Sequence, residues 1–251
     1  MRQYIYILLI LLFNNGFSQD FQIQTEIPPN ITPEKIIKKY INSIGGEKKI
    51  HKIKTIEKKF EIKIDGVQNI TMQGKVLYKN PNLYASTLEI PTLGQIQSTK
   101  YDGKNCKITR LYKDKEETNE VKGKMLEEKL RDFYAFPILE IKKNDIETKI
   151  TEIHIYKDYS VYKLQVWYKE NNNEKLFLFF NSETNYLTKK IIISDQTINT
   201  TYYKEYKELD GIFFPWKEIN TMEVKGSLAQ KTTNQIQEII LNKDFSIDLF
   251  Q

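Results

Sequence analysis

Among 251 residues there is one cysteine, Cys106, and there are two histidines, His51 and His154. A lone thiol excludes any disulfide within the chain, so the fold has to be held by its own core. Cys106 lies in a strand-like segment and reads as a small buried hydrophobe rather than a reactive thiol. The two histidines are far apart with no ligand spacing around either, so both read as surface or structural residues, and no metal site is expected. The ten glycines form no phosphate-cradling loop and no dinucleotide fingerprint. No G-x-S-x-G elbow or H-E-x-x-H helix occurs. Carboxylates such as Glu57, Glu61, Asp145 and Glu147 sit among lysines on faces that read as solvated, which leaves no acid, base and nucleophile in one place. The expectation is a protein that is not an enzyme, with no catalytic residue and no cofactor. A large excess of one charge is missing too. The 38 basic residues barely outnumber the 33 acidic ones. Lys and Glu alternate in sign along residues 57–63, the pattern of a solvated sheet face rather than a nucleic-acid footprint.

Long hydrophobic runs are absent except at the start. Arg2 precedes the apolar residues 5–13, and Gly16 and Ser18 then supply small residues at the positions a signal peptidase inspects. That is the layout of a secretory signal peptide, too short for the roughly 20 residues of a spanning helix. Residues 1–18 are expected to be removed, leaving residues 19–251 as one soluble, exported, periplasmic domain, monomeric and without a nucleic-acid partner. With no cysteine near the cut, no lipid attachment is expected. Losing Arg2 lowers the net charge of +5 by one, which stays mild.

Thr32, Pro33 and Glu34 form a helix start, with a side-chain cap, a proline in the first turn and an early carboxylate. Ile36, Ile37, Tyr40, Ile41 and Ile44 then recur at helical spacing until Gly45 and Gly46 stop the helix. Residues 47–54 read as a further turn or two. From Thr55 the period drops to two, with Ile56, Phe60, Ile62 and Ile64 on one face and Glu57, Lys59, Glu61 and Lys63 on the other. Turns at 65–66, 80–82, 91–94 and 101–103 separate five strand segments. Residues 113–124 are charged, lack either period and read as a mobile loop. Met125, Leu126, Leu130, Phe133 and Tyr134 return to helical spacing before Pro137. Seven more strands follow, over about 149–156, 159–168, 174–181, 186–194, 197–207, 212–224 and 227–241. The fold class is mainly β with a few helices. Ten to twelve antiparallel strands are too many for an open twisted sheet to stay flat, so the sheet should curl.

Sixteen tyrosines, thirteen phenylalanines and two tryptophans suit strand packing. More telling are runs where alternation fails: Leu176, Phe177, Leu178, Phe179 and Phe180; Ile191, Ile192 and Ile193; and residues 212–216. A strand apolar on both faces needs cover on both. Helices can supply one cover, and the protein's own aromatic side chains or a bound apolar ligand the other.

The order of these elements resembles the outer-membrane lipoprotein carrier (LolA-like) superfamily, in its exported branch. The resemblance rests on Ile36 to Ile44 with Gly45 and Gly46, on the turn Lys79, Asn80, Pro81 and Asn82, and on Tyr101, Asp102 and Gly103. Phe177 through Lys189 and the stretch Leu209, Asp210, Gly211, Ile212, Phe213, Phe214 and Pro215 complete it. It implies a curved, unclosed antiparallel half-barrel whose concave side is covered by helices, here residues 36–44 and 125–134, and accepts lipid acyl chains. The implied partner is a lipid or lipidated protein, with a possible membrane-associated partner. The family's cavity arginine has no clear counterpart in Arg110 or Arg131. The candidate lining is Phe60, Ile62, Met72, Val76, Leu88, Leu164, Val166, Leu178, Phe180, Ile191, Ile193, Phe214 and Trp216, where an error of one residue in parity exchanges a strand's set for its neighbours. Two other readings stand beside a carrier. One is a structural or interaction module on the same fold with a self-filled cavity. The other is an integral outer-membrane barrel, disfavoured by the amphipathic helices and the doubly apolar strands.

Overall fold

The computed structural model describes residues 21–66, 70–112, 115–141, 146–168 and 171–251. The expected signal peptide and Asp145 lie outside them. In chain order the elements are β1 (Gln22–Gln24), α1 (Pro33–Ser43), α2 (Glu47–Ile50), β2 (Thr55–Asp65), β3 (Ile70–Lys79), β4 (Leu83–Ile90), β5 (Gly94–Tyr101), β6 (Cys106–Tyr112) and β7 (Lys115–Val121). There follow α3 (Gly123–Leu130), α4 (Pro137–Glu140), β8 (Ile146–Ile155), β9 (Ser160–Tyr168), β10 (Asn171–Asn181), β11 (Leu187–Ser194), β12 (Thr197–Leu209), β13 (Ile212–Val224), β14 (Ser227–Leu241) and a closing 3-10 turn, Ile247–Phe250.

All fourteen strands belong to one antiparallel sheet, ordered β1-β8-β9-β10-β11-β12-β13-β14-β2-β3-β4-β5-β6-β7. Two meanders, β2 to β7 and β8 to β14, are joined where β14 pairs with β2. Short connections force sequence neighbours to pair antiparallel, which accounts for each meander. β1 and β7 are the two edges, and the sheet is not closed.

Fourteen strands correct the expected ten to twelve. β1 holds three residues, too few for alternation to register, and pairs Gln22 to Gln24 with Ile155 to Ile153. β7 occupies the stretch expected to be a mobile loop. As an edge strand it pairs only with β6 and is exposed along its length except at Val121. Charge is therefore tolerated there, and it guards the edge against pairing with other chains. The helix expected over 125–134 also differs. α3 ends at Leu130, and Pro137 opens a second short helix, α4, at a position where a proline costs no hydrogen bond.

α1 starts as its sequence requires, with Thr32 Oγ1 accepting from Lys35 N at 3.4 Å, and it buries Ile36, Ile37, Tyr40 and Ile41. Gly45 follows at φ 125°, and a Cβ there would stand 2.5 Å from the carbonyl oxygen of Gly211. Only glycine lets the helix end approach the β12–β13 turn this closely. The Phe213 N–H donates to Ile44 O at 3.0 Å across the same contact. At the same end of the sheet, the Asn80 N–H donates to Lys54 O at 2.8 Å and the Asn80 side chain bonds Ile53 O.

One short segment reveals how strongly the sheet curls. Arg131, just past α3, places its guanidinium 3.9 Å from the ring centroid of Tyr168 in β9. Two residues later, Phe133 stacks on Tyr84 in β4 with centroids 4.5 Å apart. Those strands are eight spacings apart, about 38 Å in a flat sheet. Side chains two residues apart cannot bridge that distance, so the two wings bend toward each other around the helices. The helix-covered face is the concave one.

Its main core joins α1, α2 and α4 to Ile56, Leu164, Val166, Leu178, Phe180, Ile212 and Phe214. A second cluster lies under α3, where Tyr101, Cys106, Ile108, Val121 and Phe133 pack together. A third sits on the convex face, where Phe245 and Phe250 of the C-terminal tail cover Leu77 and Ala85. This tail also buries Glu57, 5% exposed and paired with Lys243 Nζ at 2.8 Å. Glu57 is therefore not on a solvated face, because the C-terminal tail covers that part of the sheet.

Candidate functional site

Cross-strand partners in a sheet share a face, so the register assigns every inner-face residue. Along β2 the inner residues are Ile56, Lys58, Phe60, Ile62 and Ile64. They pair on β3 with Tyr78, Val76, Gly74, Met72 and Ile70. Leu88 faces Gly74, and Ile236 faces Phe60. In the other wing Leu178 faces Leu164, Leu176 faces Val166, and Phe180 faces Tyr162.

Eleven of the thirteen candidate lining residues lie on this face: Phe60, Ile62, Met72, Val76, Leu88, Leu164, Val166, Leu178, Phe180, Phe214 and Trp216. Ile191 and Ile193 do not. Ile191 pairs with Phe177 and Thr200, Ile193 with Lys175 and Ile198, all on the convex face, and Ile192 points inward instead, opposite Leu176. The cause is parity in a triplet of identical residues, where sequence offers no preference for either face.

The eleven separate into two groups. Leu164, Val166, Leu178, Phe180 and Phe214 are buried in the main core with the helices, and Val76 is buried opposite Lys58. Tyr40 of α1 meets Phe180 edge-on at 5.4 Å, and Phe136 lies 5.8 Å from Phe214. Phe60, Ile62, Met72, Leu88 and Trp216 are only half-buried, and of these Phe60 and Trp216 pack against the main core. The Phe60 ring lies across Gly74, where any Cβ would collide with it. The absence of a side chain at Gly74 thus leaves room for the ring.

The doubly apolar run in β10 resolves in the same way. Leu176, Leu178 and Phe180 face the core. On the convex side Phe179 is 2% exposed, under Lys189 Nζ at 3.9 Å, with His154 edge-on at 5.8 Å. Lysine stems and a histidine ring, neither ligand nor further aromatic core, provide its second cover. His154 is held in turn by Glu152 at 2.7 Å and by the Phe21 ring stacked at 4.6 Å. Burial pushes the Glu152 carboxyl up, but hydrogen bonds from Lys163 and His154 outweigh it and hold it below the usual carboxylate range.

Between the covered and open groups lies a polar band that the sequence reading passed over. Lys58 alternates in step with Ile56 and Phe60, so its inward position was legible, but it was overlooked beside its charged neighbours. Its ammonium stands 5.6 Å from the Tyr78 ring centroid and 5.5 Å from that of Phe214, and it forms no ion pair among the described residues. Burial lowers its pKa, while the nearby Glu218 carboxylate opposes the shift. Glu218 is flanked in register by Tyr203 and Asn234. Burial raises the Tyr78 and Tyr203 hydroxyls well above their usual range, and Asp132 and Glu218 add to both. The Asn234 Oδ1 is buried without a hydrogen-bond partner among the described residues.

The segment between α3 and α4 is fixed to β10 by Arg131, whose Nη1 donates to Glu174 Oε2 at 2.7 Å. Two pockets are present among the described residues. One of about 470 Å³ is lined by Phe60 and Gly74 together with Lys59, Glu61, Lys75 and Glu89 and the polar residues between them. Another, about 210 Å³, opens beside Ile36 and Phe180 near the start of α1. Among the described residues no cluster of three His, Cys, Asp or Glu could hold a metal, and no helix is long and apolar enough to cross a membrane.

Solved structures share this fold over most of the chain. A LolA superfamily protein from Nitrosomonas europaea superposes with a TM-score of 0.60 at 13% identity, covering 88% of this chain and 98% of its own. A domain named for outer membrane lipoprotein sorting, from Vibrio parahaemolyticus, superposes with a TM-score of 0.58 at 9% identity, covering 86% of this chain and 94% of its own. No protein-family model matches the sequence, and no curated protein is detectably similar to it.

Proposed function

We propose that this protein is a non-enzymatic carrier or binder of acyl chains, from a lipid or a lipidated protein, and that the chain lies along the open half of the concave face. The observation that carries this reading is the row Phe60, Ile62, Met72 and Leu88. It is apolar and half-buried, on the inner side of a curled sheet where Ile56, Leu164, Leu178 and Phe180 are already covered. At about 0.8 kcal/mol per buried methylene, a twelve-carbon chain grosses roughly 9 kcal/mol before ordering costs, so binding needs area rather than reactive groups. The reading includes export through residues 1–18 and action as a soluble monomer in the periplasm. N-terminal sequencing of the exported protein tests the first part, with a start at Gln19 or Asp20 expected. For the binding itself, native mass spectrometry after gentle purification should find co-purifying lipid. A fluorescent acyl probe should bind and be displaced by dodecanoyl compounds. Absence of both would end the reading.

A second reading draws on the covered half. Leu164, Val166, Leu178, Phe180 and Phe214 are sealed by the protein's own helices, as in an interaction module that carries nothing. It expects no lipid and a defined protein partner on crosslinking.

A further inference from the structure

The helices pack on the concave side, and the C-terminal tail covers the convex side at Leu77 and Ala85, so among the described residues the convex face of β9 to β13 is left to solvent. Its register lays it out in three rows. Gln165, Phe177, Ile191, Thr200 and Thr221 face one another in the middle row. One flanking row runs Lys163, Phe179, Lys189, Tyr202 and Ile219, and the other runs Lys175, Ile193, Ile198 and Glu223. Trp167 follows Gln165 on the same face of β9, opposite Glu147. Phe179 is buried, Tyr202 is 39% exposed, and the other apolar side chains are half-buried. Strand spacing and rise make the face roughly 24 Å by 20 Å.

Cations stand among these rings. Lys163 Nζ lies 4.7 Å from the Phe177 centroid, Lys189 Nζ lies 3.9 Å from that of Phe179, and Lys175 is exposed. Lys163 meets Glu152 at 2.6 Å, but Lys175 and Lys189 form no ion pair among the described residues. Burial lowers the Lys189 pKa, and the Lys163 ammonium adds to the shift while Glu152 opposes it. Carboxylates stand at the borders: Glu147 and Glu152 on β8, Glu223 on β13, and Glu205, which Lys217 holds at 3.5 Å. We infer that this face is a docking surface for an anionic lipid bilayer, met at the level of its head groups. Lysine stems folded back over the rings swing out to lipid phosphates and uncover the rings, and Trp167 and Tyr202 are side chains suited to a membrane interface. A second copy of the chain fits worse. It would set these lysines against their own counterparts, and the area falls short of the roughly 800 Å² a side of a stable protein complex. Neither pocket described above opens on the face to receive a protein anchor, and a bilayer needs none. The contact lies on the far side of the sheet from the acyl groove and stands apart from that reading.

Vesicle sedimentation tests this, with vesicles of phosphatidylethanolamine mixed equally with phosphatidylglycerol set against vesicles of phosphatidylcholine. The protein should sediment with the first and not the second, and added salt should release it, because the attraction is screened. Trp216→Phe leaves Trp167 as the only tryptophan, so a blue shift of its emission on the anionic vesicles reports contact at this face. Lys175→Glu should weaken sedimentation about tenfold, whereas Lys75→Glu, the same charge change on the convex face of the other wing, should alter it by about twofold or less. Lys189→Gln, which keeps a polar side chain in place, should cost about fivefold. Equal binding to both kinds of vesicle, or to neither, would overturn the docking surface. So would equal losses in Lys175→Glu and Lys75→Glu, or sedimentation with no change at Trp167. A dimer in solution that Lys175→Glu dissociates would give the face to a second copy instead. Acyl-probe displacement on the same protein is a separate readout, so failure here is distinguishable from failure of acyl binding.

Discussion

Ile56 and Ile62 belong to the same strand and point to the same side, yet Ile56 is 1% exposed and Ile62 is half-buried. The difference comes from what lies above them, since α1, α2 and α4 cover one half of the concave face and leave the other open. A strand pattern thus sets which residues point inward, while helix placement decides whether an inward residue is core or binding surface. Lys58 sits at the boundary, and a half-buried lysine between two aromatic rings is consistent with a border rather than an interior.

Substitutions sharpen that contrast most. Phe180→Ala removes a fully buried ring from under Tyr40 and should cost about 3–5 kcal/mol in denaturant unfolding. Phe60→Ala should cost distinctly less and lower acyl-probe affinity instead. The comparison breaks if the two losses of stability are equal. A charge introduced at Leu178, 3% exposed, should unfold the protein, whereas Ile62→Glu should shift stability by about 1 kcal/mol or less and abolish probe binding.

Smaller effects are expected where ion pairs hold the cover in place. Lys243→Met leaves Glu57 buried beneath the C-terminal tail without its partner, at a cost of about 1–3 kcal/mol by chemical denaturation. The half-exposed Lys243 side chain keeps this below the value for a fully buried pair. Arg131→Ala removes the contacts to Glu174 and Tyr168 and should cost about 1–2 kcal/mol, seen as faster amide exchange across α3 and α4 with the main core still protected.

The smallest expected effect is on the convex face and depends on pH. The Glu152 carboxyl titrates below its ordinary value near 4.5 in the folded protein. A carboxylate lowered on folding contributes fully above its unfolded pKa, and that contribution is lost as pH falls through the folded one. Acid unfolding curves of the native chain and Glu152→Gln should therefore differ at neutral pH and converge only as pH falls below the ordinary carboxylate range. Curves offset equally at every pH would mean the Lys163 and His154 contacts do not act on Glu152 ionisation.

Much of this was legible in residue order. α1, its glycine stop, the bounds of β13 and β14 and the alternation within β2 follow from local spacing alone, because caps, turns and alternation are local signals, whereas which face points inward depended on where the helices pack. β7 was missed because an exposed edge strand needs no apolar face, and β1 because three residues carry no period. The inward face of the 191–193 triplet depended on pairing with Phe177 and Thr200, which no local pattern encodes. Burial of Glu57 required the C-terminal tail to return across almost the whole sequence. The division of the concave face into covered and open halves is likewise a property of where the helices come to rest.

The most direct test of that division is an NMR experiment on the protein with methyl-labelled isoleucine, leucine and methionine, bound to a protonated dodecanoyl chain. Intermolecular NOEs from the chain should reach the methyls of Ile62, Met72 and Leu88 and be absent from Leu164, Leu178, Ile191 and Ile193. NOEs to Leu164 and Leu178 would place the ligand inside the sealed core, NOEs to Ile191 and Ile193 would place it on the convex face, and either result would contradict the account.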